Sequence, residues 1–159
     1  MVSKYTPLMD ALEKVYGKAS PAGFGSAVFH EPVAAKALVE AIALKHYQAF
    51  LGPKWSSASE ASWKSAWKQV YQRPDSHKGD ILAELAGITD PDAKRSVPLL
   101  TELIENADAG RDAMSVAFNH EDVSSLSVFN IGDGEAMSGI LVTALYADGY
   151  ACSVISLMD

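Results

Sequence analysis

The spacing of apolar residues changes once along this chain, near Gly110, and that change constrains the fold more than any other feature. Before it, hydrophobic side chains recur every three to four residues, as on helices with one buried face. After it, Met114, Val116 and Phe118 alternate with Ser115 and Ala117, as strand residues do. Two Asp-Gly pairs follow, Asp133-Gly134 and Asp148-Gly149, 15 residues apart. Asp-Gly between apolar runs predicts a two-residue hairpin turn in which both residues take positive φ. The pattern therefore predicts strands over residues 114–118, 126–131, 140–147 and 150–158, with 119–122 as the first turn. The expected fold is α+β in a single domain, 1–159. About four to five helices over 1–110 pack on a three- to four-stranded antiparallel meander over 111–159.

In the N-terminal part, Thr6-Pro7 opens a helix carrying Leu8, Leu12, Val15 and Tyr16, and Gly17 stops it. Residues 18–31 read as a loop anchored by Phe24, Val28 and Phe29, with room for a short strand. The longest helical pattern runs over 32–51 and puts Leu38, Ile42, His46 and Phe50 on one broad face before Gly52-Pro53. Ser57-x-x-Glu60 spells a capping box ahead of a helix bearing Trp63, Ala66, Trp67, Val70 and Tyr71, closed by Arg73-Pro74. A short helix near 77–86 and another from Ser96-x-Pro98 to Gly110 complete this half.

The strand register carries a further expectation. A two-residue turn at Asp148-Gly149 pairs residues whose numbers sum to 297. Ile140, Val142 and Ala144 then share a face with Ile155 and Leu157, and Leu141 and Leu145 share the other with Cys152, Val154 and Met158. The same logic at Asp133-Gly134 sets Ser138 and Gly139 opposite Phe129 and Val128. Both faces are apolar, so each must be covered, either by helices divided between the two sides or by a second copy of the chain. The last strand has no Lys or Pro guarding it, which favours a homodimer through the sheet.

Composition limits the function classes. With 48% hydrophobic residues, the 159-residue chain is too apolar to be disordered, and one Cys allows no internal disulfide. The first fifteen residues lack the apolar core of a secretory signal, and no run approaches a membrane span, so a cytoplasmic protein is expected. The net charge of −7 is segregated: residues 79–159 hold fourteen acids against Lys94, Arg95 and Arg111, while 54–78 carry a net +3. An acidic half repels phosphate and suits a basic protein partner, making nucleic acid an unlikely ligand. Trp63, Trp67 and Tyr71 beside Lys64 and Lys68 have the spacing of a base-stacking platform, but their stripe includes Ala66 and Val70, and burial accounts for it.

Three groups are candidate sites. His120, Glu121 and Asp122 in the first turn, with Asp148 in the last, share one end of a meander and could hold a divalent metal ion or do acid–base work. Asp133 and Glu135 fall at the opposite end as candidate binding residues; Gly132-Asp133-Gly134-Glu135 lacks the following Lys of a phosphate loop and the acid spacing of a calcium loop. His46 is a third candidate, on the apolar face of its helix. Cys152 reads as a small buried hydrophobe, and no nucleophile elbow, HExxH, CxxC or GxGxxG occurs. The expectation is a non-catalytic protein-interaction module, regulatory or inhibitory, that binds a basic protein partner without a cofactor. The alternative is a small metal-dependent enzyme or ligand-binding protein using the polar residues at one end of the sheet.

Overall fold

The computed structural model describes residues 4–21, 23–34, 36–55, 60–74 and 79–158. In chain order these form α1 (Thr6–Tyr16), β1 (Gly25–Pro32), α2 (Val39–Leu51), a 3-10 turn (Gly52–Lys54), α3 (Glu60–Ser65) and β2 (Lys68–Gln72). Then come α4 (Ile81–Ala86), α5 (Pro91–Ser96), α6 (Pro98–Thr101), α7 (Ala107–Phe118), β3 (Val123–Gly132), β4 (Ser138–Tyr146) and β5 (Tyr150–Met158). The fold is α+β. Its antiparallel sheet has five strands rather than three or four, in the order β1-β5-β4-β3-β2. The expected meander is its centre, and two strands from the N-terminal half form its edges.

Helices cover both faces, which resolves the two-apolar-face problem within one chain. One face carries Val28, Leu126, Val128, Ile140, Val142 and Val154, packed with Met9, Leu12, Leu85, Leu100, Met114 and Phe118. The other carries Phe29, Phe129, Ile131, Leu141, Ile155 and Leu157, packed with Tyr47, Phe50, Leu51 and Trp63. Neighbouring residues such as Val128 and Phe129 thus enter different cores, the period-2 consequence of a sheet buried on both sides. Each fully buried side chain of this size contributes ~1.5–3 kcal/mol.

Several expected elements are different, and each has a physical cause. Residues 114–118 are the end of α7 and not a strand: Gly110, Ala113, Met114, Ala117 and Phe118 are buried at helical spacing, while Val116 is 58% exposed. Gly110 lies inside α7, not after a helix. A Cβ there would stand 2.7 Å from the Tyr16 hydroxyl, so the glycine lets α1 and α7 approach. The helix expected over 96–110 is instead two: α6 starts at Pro98 and stops at Thr101, and α7 starts at Ala107 after Asn106, which takes the left-handed conformation at φ 62°. The aromatic stripe of 63–71 divides: α3 stops at Ser65 and Val70 and Tyr71 lie in β2, where β-branched and aromatic side chains fit a sheet.

The long helix begins at Val39 and not at Pro32, which ends β1; Leu38 ahead of it is extended and 72% exposed. Thr6 is the first helical residue of α1, with Tyr5 in the cap position. Ser57 and His77 lie outside the described residues, and α4 starts at Ile81.

Both Asp-Gly turns are longer than two residues. Gly134 and Gly149 take positive φ, at 78° and 82°, but Asp133 and Asp148 do not. The turn at 147–149 closes with the Gly149 amide donating to the Tyr146 carbonyl at 3.0 Å. Tyr146 therefore faces Tyr150, Val142 faces Val154 and Leu141 faces Ile155, so paired numbers sum to 296 rather than 297. One added turn residue exchanges the face of every β5 side chain relative to β4. Likewise Phe129 faces Leu141, and Gly139 faces Ile131.

The strand expected to be an open edge is internal, since β5 pairs with both β1 and β4. The true edges are blunted. The Val28 amide of β1 donates outward to the Gly17 carbonyl at 2.9 Å, so the segment after α1 covers it. β2 is five residues long, has a register shift and exposes Lys68, Gln69 and Gln72. Its C-terminal end is tied down by Arg73, which donates to Glu84 of α4 at 2.8 and 2.6 Å and to the Phe118 carbonyl of α7 at 2.8 Å, all buried. Among the described residues no helix is long and apolar enough to cross a membrane.

Candidate functional site

The first candidate group assembles in part. Asp122, just before β3, and Asp148, between β4 and β5, do meet at one end of the sheet. The Lys4 ammonium lies between them, 2.7 Å from Asp122 Oδ2 and 3.0 Å from Asp148 Oδ2. The Tyr5 hydroxyl also donates to Asp122, at 2.9 Å. Lys4, and secondly Tyr5, hold the Asp122 carboxyl below the usual carboxylate range. Burial, reinforced by Asp122, pushes the Tyr5 phenol up to about 12. His120 accepts from the Asp122 amide at 3.0 Å and stands 4.0 Å from its carboxylate, while Glu121 is exposed and enters none of these contacts. An ammonium thus fills the position that a metal between Asp122 and Asp148 would need. Among the described residues no group of three or more His, Cys, Asp or Glu side chains is placed to hold a metal ion.

His46 is the buried centre of a polar chain that runs inward from the surface. α2 lays its ring on the sheet, with Nδ1 2.6 Å from Ser153 Oγ of β5 and Nε2 2.6 Å from Glu31 Oε2 of β1. Ser153 Oγ lies 2.7 Å from Thr143 Oγ1 of β4, and Lys45 donates to Glu31 at 2.6 Å. Burial raises the Glu31 carboxyl, but the donors Lys45 and His46 outweigh it and the net position is below normal. Burial lowers His46, and its bond to Glu31 offsets this only in part. A neutral imidazole beside ionised Glu31 donates from Nε2, leaving Nδ1 to accept the Ser153 hydroxyl. Carboxylate, imidazole and hydroxyl in line form the grouping used for nucleophilic attack. Here Ser153 and Thr143 have no exposed surface, so no substrate carbonyl can reach the hydroxyl. The chain fastens β1, α2 and the central strands together.

Asp133 and Glu135 line a cleft of about 600 Å³ at the other end of the sheet. Its walls are the α3–β2 junction (Ser65, Ala66, Trp67, Lys68), Asn130 of β3 and Asp92 of α5. Asp133 shapes its own loop, since Oδ1 accepts from the amides of Glu135 at 2.8 Å and Met137 at 3.0 Å. Glu135 is exposed at the tip. Among the described residues of the wall the one basic side chain, Lys68, is ion-paired with Asp90. That carboxyl is held low first by the Ala93 amide and then by Lys68. Trp67 is fixed by stacking on Phe129 at 4.7 Å and by its indole N–H donating to Glu40 at 3.1 Å.

Asn130 is the residue that sequence reasoning missed. Its backbone is in the ladder with Lys68 on one side and Ile140 on the other, and the residue lines the cleft. The residue is 2% exposed; Nδ2 donates to the Ala66 carbonyl at 2.9 Å, and Oδ1 is buried without a partner. An unpaired buried acceptor costs ~1–3 kcal/mol. An amide among Val128, Phe129 and Ile131 was the signal that could have found it. The cleft's acceptors, Asn130 Oδ1 and the Asp133 and Glu135 carboxylates, thus outnumber its free donors. The Ser65 hydroxyl already donates to the Ser62 carbonyl at 2.6 Å. Chemically the arrangement suits a ligand that brings N–H groups and positive charge. No protein-family model, curated protein or solved structure matches the chain.

Proposed function

We propose that this protein is a non-catalytic interaction module, regulatory or inhibitory, that binds a basic segment of a protein partner at the cleft between the α3–β2 junction and the β3–β4 loop. The observation that carries this reading is the cleft's imbalance: an exposed Glu135 and a half-buried Asp133 carboxylate, a buried Asn130 carbonyl without a partner in the wall, and a lysine already ion-paired with Asp90. The acidic excess after residue 78 supports it, because it attracts a basic surface over a distance of about a Debye length. The enclosed hydroxyl of Ser153 supports a non-catalytic role for the Glu31–His46–Ser153 alignment. The reading includes no dimer, since the strand that suggested one is paired on both sides.

The test is fluorescence anisotropy with labelled synthetic peptides of equal length, one basic and one acidic, at about 0.03 M and about 0.3 M salt. The basic peptide binds, binding weakens at high salt, and Glu135→Lys reduces it several-fold. Absence of salt-sensitive binding by the basic peptide overturns the proposal.

A further inference from the structure

We infer that the group received by the cleft is a guanidinium, the side chain of an arginine on the partner's basic segment; this rests on the reading above and specifies its ligand. The acceptors differ in kind and in depth. Asn130 Oδ1 is a neutral carbonyl oxygen, buried and without a partner. Glu135 is exposed at the loop tip, and Asp133 lies half-buried between the two extremes. A ligand that satisfies both depths must offer several N–H groups in different directions while keeping its charge near the carboxylates.

An ammonium is a compact, strongly hydrated point charge on a flexible stem, and it loses more hydration on entering such a site. A guanidinium is planar, less strongly hydrated and carries five N–H donors in a fixed fork. It can give one N–H to the Asn130 carbonyl and others to the Asp133 or Glu135 carboxylate at the same time. Trp67 of the wall is held in place by its stacks on Phe129 and Tyr47 and by its bond to Glu40. A metal ion suits the site less well. Asp133 Oδ1 is occupied by two backbone amides, and the described residues contain no metal-holding group of three. An anion is disfavoured by Asp133 and Glu135, with Lys68 engaged by Asp90 and Asp92 paired with Arg95.

The experiment uses the full chain, isotopically labelled for NMR, and three blocked peptides that are identical except for arginine, lysine or citrulline at the centre. The arginine peptide binds at least about tenfold more tightly than the lysine peptide, and citrulline, of similar shape but uncharged, binds more weakly than either. Free arginine, run alongside, binds more weakly than the arginine peptide, as expected for a side chain presented on a chain. The Asn130 side-chain amide resonances shift with arginine and far less with lysine, a readout that needs no variant. Asn130→Ala brings the arginine affinity down to the lysine level. Equal affinities for arginine and lysine, with the Asn130 resonances unmoved, overturn the guanidinium assignment while leaving a basic partner in place. Failure of every cationic peptide to bind overturns both.

Discussion

His46 Nδ1 lies 2.6 Å from the hydroxyl of Ser153, 107 residues further along the chain, and that single bond joins α2 to the middle of the sheet. The other ring nitrogen is held by Glu31 of β1 at 2.6 Å. One imidazole therefore connects a helix, a central strand and an edge strand, and its protonation state matters to all three.

Acid should weaken the fold in two stages. The folded-state pKa of His46 is below its ordinary 6.5, so under pH 6.5 the unfolded chain takes up a proton that the folded chain refuses. Stability then falls with pH by at most ~1.4 kcal/mol per unit, until the lowered folded value is reached. Glu31 acts further down: its folded pKa is below 4.5, so its contribution is present above that value and is lost as pH falls through the lowered one. Urea midpoints measured between pH 7.5 and pH 5 (about the range that isolates histidine) should decline in the wild type and decline less in His46→Asn. Equal slopes in the two proteins contradict this account of the network.

Removing one partner of the Arg73–Glu84 pair should be costly. Both side chains are buried and linked by two hydrogen bonds, so Glu84→Gln leaves a guanidinium without its counter-charge. The expected loss is ~3–5 kcal/mol in urea unfolding. A loss under ~1 kcal/mol, within the range of an exposed pair, contradicts it.

Gly110→Ala sets two effects against each other. Alanine in a helix interior is better than glycine by ~0.5–1 kcal/mol. The added Cβ, however, meets the Tyr16 hydroxyl at 2.7 Å, and that hydroxyl is itself held by the Leu100 carbonyl at 2.7 Å. Overpacking of this kind costs ~1–3 kcal/mol, so net destabilisation is expected. The double variant with Tyr16→Phe should lose less than the sum of the two single changes, measured by a double-mutant cycle. Strict additivity places the clash elsewhere.

Sequence patterning located the three central strands because both the apolar runs and the Asp-Gly pairs mark them. It failed where short-range signals were shared between structures. Met114, Val116 and Phe118 fit a period of 2, but burial of Gly110, Ala113 and Ala117 shows the period was 3.6. β1 and β2 were not resolved as edge strands because each is defined by a distant partner: β1 by β5, and β2 by β3. Asp133 and Glu135 were legible as a polar tip between two strands. Asn130 was not, because its meaning depends on Ala66 and Trp67, which only the β2–β3 pairing brings beside it. Lys4, which bridges Asp122 and Asp148, was invisible for the same reason.

The central claim is most directly tested by mapping where a basic peptide acts on the labelled chain. NMR titration at low salt should move the amides of Lys68, Asn130, Asp133, Gly134 and Glu135 together, along with the Trp67 indole N–H, and the shifts should collapse at about 0.3 M salt. Shifts centred on Lys4, Asp122 and Asp148 instead, or none at all, would contradict it.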